Sequence, residues 1–361
     1  MIRKLPFKML SAVMLLSSIA FANSIEEKPK VTLEKTIEKS FEVNSNATLK
    51  IHNSYGNVDV ITWNENRIEF DITIKVTSSK EDKAQEKLDD IDVKFSASRD
   101  WVAAETMFNK GNKKSWWSWG SSNKVKMEIN YTIKIPASNN VNLNNDYGNI
   151  TVDRLEGKAE INCDYGKITT KELMADNNII NFDYSKGCYF EYVKSGKLNA
   201  DYSSYTIAKT KELAINADYT ESTIEAAEDI NYNCDYGSLT VQNVNNFEGN
   251  GDYLNIRLGN VYKDVSIKAD YGSIKIDKMT SNAGNLSIDT DYAGMNIGLD
   301  SGYSFDFELN LEYAGLRGGD DFEFSQKRVE SSKKFYSGYK GKASSGNMIK
   351  INSDYGSVTF K

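Results

Sequence analysis

Proline is nearly missing: the 361-residue chain has three, and none lies between Ala137 and Lys361. Proline removes a backbone donor from a β-ladder, so this long stretch is open to unbroken strand pairing. Histidine is scarcer still. The single His52 leaves no Ser/His/Asp set that can be assembled with a general base. Cysteine is limited to Cys163, Cys188 and Cys234, which rules out a disulfide-dense scaffold. Basic charge is in deficit, 44 Lys and Arg against 51 Asp and Glu. An acidic chain argues against nucleic acid or an anionic membrane surface as the main partner. Past residue 22 no apolar run reaches the roughly 20 residues of a membrane-spanning helix.

The apolar run at the N-terminus is short. Arg3, Lys4 and Lys8 precede "MLSAVMLLSSI", and Ala20-Phe21-Ala22 fits a small-x-small cleavage rule. Residues 1–22 are therefore expected to be a secretory signal. No cysteine follows the cleavage site to carry a lipid. Removing the signal leaves 41 basic and 51 acidic residues, a net charge of −10.

What the chain has in abundance is tyrosine, 21 in all, and many copies stand in one motif. "NCDYGKIT" at Asn162 recurs as "NCDYGSLT" at Asn233, 71 positions on. Between Tyr147 and Tyr313 the marked tyrosines follow one another at intervals of 17 to 21 residues. Tyr355 closes the series 42 residues later, read as two units with one degraded, and "IHNSYGNVDV" (51–60) is an early outlier copy. A fixed short period signals stacked repeats. Within a unit such as 161–170, Ile161 and Cys163 share one strand parity, with Asn162 and Asp164 on the other. Parity breaks at Gly166, where a bend is expected. The expected fold is all-β: a single-stranded parallel β-solenoid, right-handed, of about 18 residues per coil. Each coil should hold two strands, a corner and a variable third segment such as "KTKELA" (209–214).

Before the array, "IEFDITIKV" (68–76) and "VKMEINYTIKI" (125–135) alternate as half-buried strands, and "RDWVAAETMF" (99–108) reads as another. Ser79-x-x-Asp82 can cap a short helix near 80–91 carrying Ala84, Leu88 and Ile91 on one face. The expected organisation is a signal at 1–22, a polar leader at 23–41 and a β-rich cap at 42–135. The solenoid follows at 136–361, with a loop or hairpin insertion at 325–347.

Several constellations invite functional readings. Asp146, Asp164, Asp183, Asp201, Asp218 and Asp235 begin a row at one repeat position, about 4.8 Å apart if stacked. Such a row could bind calcium; the preferred reading is that each Asp accepts a backbone N–H at the bend. The Asn row (Asn162, Asn181, Asn199 and onward) is expected to form an amide ladder. By parity the tyrosines are expected as an interior or corner stack rather than a sugar-stacking surface. Trp116, Trp117 and Trp119, in the polar loop "GNKKSWWSWGSSNK", are the candidate binding residues. They stand against the alternative that the rings fold back over neighbouring strands. The three thiols are expected to be buried and unpaired, because Cys163 and Cys234 share one slot four coils apart, roughly 19 Å by strand spacing.

These motifs resemble a bacterial family of exported β-strand-repeat proteins known as putative adhesins. The resemblance rests on "IHNSYGNVDVITW" (51–63), "SSKEDKAQEKLDDIDVKFS" (78–96), the Asp-Tyr-Gly units and "KINSDYGSVTF" (350–360). It implies a solenoid in the periplasm or on the cell surface, and it transfers no catalytic residue. The leading expectation is a non-enzymatic adhesin-like or envelope-scaffold protein without a cofactor. Its partner would be a surface ligand, a glycan or an envelope protein. The alternative is a carbohydrate-active enzyme of the parallel β-helix type, for which Asp320 and Asp321 in "GGDDFEF" are the local carboxylates.

Overall fold

The computed structural model describes residues 30–109 and 125–361. The described chain is all-β with one helix, and its 27 strands join in one continuous sheet. From Asn140 to Leu299, strands pair in parallel with the strand one unit later. Asn142 lies opposite Glu160, Glu160 opposite Ile179, and Ile179 opposite Lys197. Inward residues therefore fall in files. Leu143, Ile161, Ile180 and Leu198 stack in register, and all four are buried. Each fully buried side chain of this size is worth roughly 1.5–3 kcal/mol, and most of that burial is against the units on either side. A single unit could not hold itself together.

The variable third segment is strand. Cys188–Asp201, Ser204–Asn216, Glu221–Asn233 and Gly237–Asp252 each run in extended conformation from one bend nearly to the next. "KTKELA" is thus part of the ladder, with Thr210 and Leu213 turned inward.

At the N-terminal end the outlier copy proves to be a full unit. Thr48–Ser54 pairs in parallel with Asn140–Asp146, and Val58–Trp63 with Ile150–Val152. The array therefore begins near residue 48, not at 136. The cap grows sideways from that first unit. Trp101–Phe108 extends one strand, followed by antiparallel Ile91–Ala97. Lys126–Pro136 extends the other, followed by antiparallel Arg67–Ser78 and Val31–Glu42. A buried polar chain ties cap to array. Thr106 Oγ1 meets the Tyr131 hydroxyl at 2.8 Å and donates to Asn53 Oδ1 at 2.8 Å, and Asn53 Nδ2 donates to Asn145 Oδ1 at 3.0 Å.

Two expectations about this region need correction. Val31–Glu42, all but its last residue read as part of the 23–41 leader, forms a strand whose Leu33, Ile37 and Phe41 pack on the core. Lysine and glutamate between those positions masked the pattern. The helix spans Glu81–Asp90 with Ala84 and Leu88 buried, but its N-cap is Lys80, with no side-chain cap hydrogen bond. Ser78 serves the turn: its Oγ accepts the Lys80 N–H at 3.2 Å.

The C-terminal end departs most from sequence order. Met348–Asp354 does not form a terminal coil. It lies between Leu286–Asp291 and Phe305–Glu312, pairing in parallel with both. The insertion is a hairpin, Glu323–Val329 with Lys333–Lys340, and its second strand pairs antiparallel with Phe305–Glu312. The last two strands of the chain, Met348–Asp354 and Val358–Phe360, are thus interior to the sheet, and the hairpin covers the end. No degraded unit exists between Tyr313 and Tyr355.

Candidate functional site

Every Asp-Tyr-Gly motif makes a corner, and the residue that turns it is tyrosine. All twelve marked tyrosines, Tyr55 through Tyr355, have φ between 48 and 65°. That left-handed region costs an L-residue about 1–2 kcal/mol. Two compensations recur at each corner. The Tyr N–H donates to a backbone carbonyl across the ladder, that of the adjoining unit's Asp at ten corners, as in Tyr147 to Asp164 at 2.9 Å and Tyr253 to Asp270 at 2.8 Å, that of Glu312 at Tyr355 and that of Ser332 at Tyr313. A net gain of about 1 kcal/mol is usual for such a bond. The ring also lies flat on its neighbour, and a favourable aromatic pair adds roughly 0.5–1.5 kcal/mol. The corner conformation is therefore sustained by the row rather than by any one residue.

The following glycine has a different task from the one expected of it. Gly56, Gly148, Gly166, Gly272 and Gly356 do not have positive φ. They are needed for closeness: a Cβ on Gly148 would sit 1.8 Å from the Gly56 carbonyl oxygen, and one on Gly166 would sit 1.9 Å from that of Gly148. Where Ser or Thr follows the tyrosine, its hydroxyl joins the ladder. Ser185 N–H donates to Ser203 Oγ at 3.1 Å, and Ser203 N–H to Thr220 Oγ1 at 3.2 Å.

Past the corner the rings form an outer spine. Neighbouring centroids from Tyr55 to Tyr292 lie 4.6–5.3 Å apart, with planes 2–11° from parallel. The spine continues Tyr292–Tyr355–Tyr313 at 4.7 and 4.9 Å, following space rather than sequence. From Tyr147 on, each of these tyrosines is 47–60% exposed. The expectation of a corner stack holds, but the interior placement does not, because the strand parity that pointed inward stops at the tyrosine itself. Between the two ends of the file, the ring faces are covered by one another. What faces solvent is a line of phenol edges and hydroxyls.

Beside it runs the aspartate row. Asp164 Oδ1 accepts the Asp183 N–H at 3.2 Å, Asp218 Oδ1 the Asp235 N–H at 2.8 Å, and Asp235 Oδ1 the Asp252 N–H at 2.8 Å. The carboxylates do accept backbone N–H groups, but across units rather than within their own bend. Partial burial, together with neighbouring carboxylates, holds Asp201 and Asp291 above the ordinary carboxylate range. The Asn row forms the amide ladder: Asn181 donates to Asn162 at 2.7 Å and Asn199 to Asn181 at 2.7 Å. Among the described residues, no group of three or more His, Cys, Asp or Glu side chains is arranged to hold a metal ion.

The spine makes a pH-dependent contribution with a definite sign. Burial first, then neighbouring phenols and carboxylates, raises Tyr165, Tyr202, Tyr236, Tyr271 and Tyr355 above the ordinary 10.0. A raised folded-state value favours the neutral phenol, so the contribution is complete below about pH 10 and is lost as pH climbs through the folded values. The melting temperature is expected to fall from pH 10 upward. The 295 nm phenolate absorbance should rise later in the folded chain than in chain unfolded by urea. Coincident titration curves would contradict this.

The remaining sequence candidates are scattered. Trp116, Trp117 and Trp119 lie outside the described residues. Asp320 and Asp321 are exposed on a turn, and Asp321 is ion-paired with Lys340 at 3.2 Å. Cys163, Cys188 and Cys234 are unpaired and buried. Burial pushes Cys163 up to about 12 and Cys234 up to about 11, which keeps both thiols protonated and unreactive. A groove of about 540 Å³ crosses several units, bordered by Glu212, Asp229, Glu248 and Asp264 over an apolar floor that includes Ile230 and Phe247. Sequence reasoning missed this groove because its carboxylates come from the variable segment of separate units. It also missed the exposure of the spine, although a signal was there. The position is Tyr in all twelve copies, whereas inward positions interchange Ile, Leu, Val and Ala.

No family model and no curated protein matches the chain. Similar solved structures include a putative adhesin from Parabacteroides merdae, at 11% identity over 91% of this chain and 96% of that one, with a TM-score of 0.30. A putative adhesin from Parabacteroides distasonis is 12% identical over 74% of this chain and 94% of that one, with a TM-score of 0.29. A putative cell adhesion protein from Clostridium sporogenes is 11% identical over 91% of this chain and 99% of that one, with a TM-score of 0.18. Putative adhesins are the family that the repeat motifs resemble. Likeness at this level carries nothing about ligand or partner. Among the described residues no helix is long and apolar enough to cross a membrane.

Proposed function

We propose that this chain is a non-enzymatic, exported β-solenoid, right-handed and with about 18 residues per coil. It acts at the cell surface or in the periplasm as an adhesin-like binding or envelope-scaffold protein. The observation that carries the reading is the register: it converts each motif position into an exposed row of one chemical type along the array. A surface of that kind suits an extended partner better than a small substrate. The carboxylates read from the sequence lend the enzymatic alternative little support, since Asp321 is ion-paired with Lys340 and the Asp row is spread over many units.

A glycan would bind through its hydroxyl groups. Between its two ends the tyrosine file offers edges and hydroxyls rather than ring faces, and the groove bordered by Glu212, Asp229, Glu248 and Asp264 offers acceptors over an apolar floor. Trp116, Trp117 and Trp119 are proposed as a binding tip of the same protein. The test has two readouts. A tagged chain should be exported, with protease digestion of intact cells reporting which side of the envelope it occupies. The purified protein should bind whole cells or a glycan panel, and Trp116→Ala with Trp117→Ala should weaken that binding without lowering the melting temperature. Retention in the cytoplasm, or turnover of a polysaccharide abolished by Asp320→Asn, would overturn the reading.

A further inference from the structure

The spine gathers twelve of the 21 tyrosines into one file of nearly parallel rings, exposed from Tyr147 on. Parallel in-register pairing gives successive tyrosines the same backbone setting, so like edges of adjacent rings lie side by side. The closest pair, Tyr236 and Tyr253, has centroids 4.6 Å apart and planes 7° from parallel. Other tyrosines are differently placed: Tyr131, Tyr205, Tyr232 and Tyr303 are buried. The thiols that staple many exported proteins are unpaired here. The molecule thus lacks disulfide links between units yet presents a ready-made line of coupling partners.

We propose that the spine is a site of oxidative cross-linking, in which a peroxidase-type oxidant with hydrogen peroxide joins neighbouring tyrosines as dityrosine. In this step each of two adjacent phenols loses one electron and one proton, giving two phenoxyl radicals. A carbon–carbon bond forms between their ortho carbons. The two ortho hydrogens pass through solvent to the two oxygens, restoring both phenols and ring aromaticity. The net loss of two electrons and two protons reduces one hydrogen peroxide to two waters. Proximity selects the partner, because a radical in the file already touches a second phenol, whereas coupling between molecules must wait for encounter. Half-exposure admits the oxidant and lets the rings rotate out of the stack as the bond forms. A link between consecutive units closes a loop of one unit, the links at Tyr355 close longer ones, and each restricts the unfolded chain, as a disulfide would.

The spatial order of the spine gives the test a signature that sequence order does not. The purified full chain is treated with a haem peroxidase and dilute hydrogen peroxide, in buffer and in guanidinium. Dityrosine fluorescence, intact mass and linked peptides are then read. In buffer, dityrosine is expected within monomers, each link removing two hydrogens from the mass, with Tyr355 joined to Tyr292 or to Tyr313 and no Tyr292–Tyr313 link. The oxidised monomer should unfold at higher denaturant concentration. Guanidinium should abolish this pattern. Tyr355→Phe keeps a ring in the stack but removes its phenol. It should delete both links at that position and leave the Tyr219–Tyr236 link at its former yield. Absence of dityrosine, links mainly between chains, the same pattern in guanidinium, or loss of the Tyr219–Tyr236 link in the variant would each overturn the proposal.

Discussion

A chain ending at Asn347 is expected to lose far more than its last residues. Were 348–361 a terminal coil, deleting it would merely shorten the array. Instead Met348–Asp354 fills the slot between Leu286–Asp291 and Phe305–Glu312. Val358–Phe360 does the same between Gly294–Leu299 and Leu316–Arg317. Truncation leaves two facing sets of unpaired backbone donors and acceptors. It also removes Ile349, Ile351, Val358 and Phe360, each buried and worth roughly 1.5–3 kcal/mol. The spine is cut as well, since Tyr355 bridges Tyr292 and Tyr313. Hydrogen exchange should show protection lost from about residue 286 to the new end, while units around 160–250 stay protected, because stability in stacked repeats passes between neighbours. Protection retained across 305–312 would show that the strand order is wrong.

The second large effect is expected from one added methyl group. Gly148→Ala places a Cβ 1.8 Å from the Gly56 carbonyl oxygen. Backbone φ is not the obstacle, so conformational strain is not the cost. The two units must move apart, which weakens the ladder where the first unit joins the rest. Overpacking costs about 1–3 kcal/mol in ordinary cores, sometimes more. Here the opposing atom is backbone that cannot swing aside, so a loss of about 3 kcal/mol or more is expected by chemical denaturation. Gly346→Ala is the control: its Cβ would meet nothing within 4 Å, although its φ of 94° retains a conformational penalty. A smaller loss at Gly148 than at Gly346 would contradict the close-approach account.

Much of this was legible from the chain alone because repetition exposes periodicity. The interval of 17 to 21 residues fixed which residues would lie opposite one another, and Asn162 does meet Asn181. The alternation in 68–76 and 125–135 found the cap strands Arg67–Ser78 and Lys126–Pro136. The corner was misread by one residue, and that single step moved the tyrosines from inside to outside. Sequence offers glycine as the default turner. Nothing local shows that a stacked row can hold tyrosine at positive φ, since the stabilising partners are units away. Residues 31–42 were misread for a similar reason. Leu33, Ile37 and Phe41 gain their apolar contacts only once Arg67–Ser78 lies beside them.

The sequence by itself determined the repeat, its spacing, the inward files and the Asp, Asn and Tyr rows, because side-chain parity and period are local properties of an extended chain. Tertiary structure alone decided three things: where the array begins, which strand closes it, and which way the tyrosines face. Each depends on pairing between segments far apart in the chain. Insertion of Met348–Asp354 ahead of Phe305–Glu312 satisfies two ladders at once. A one-dimensional pattern holds no record of that choice.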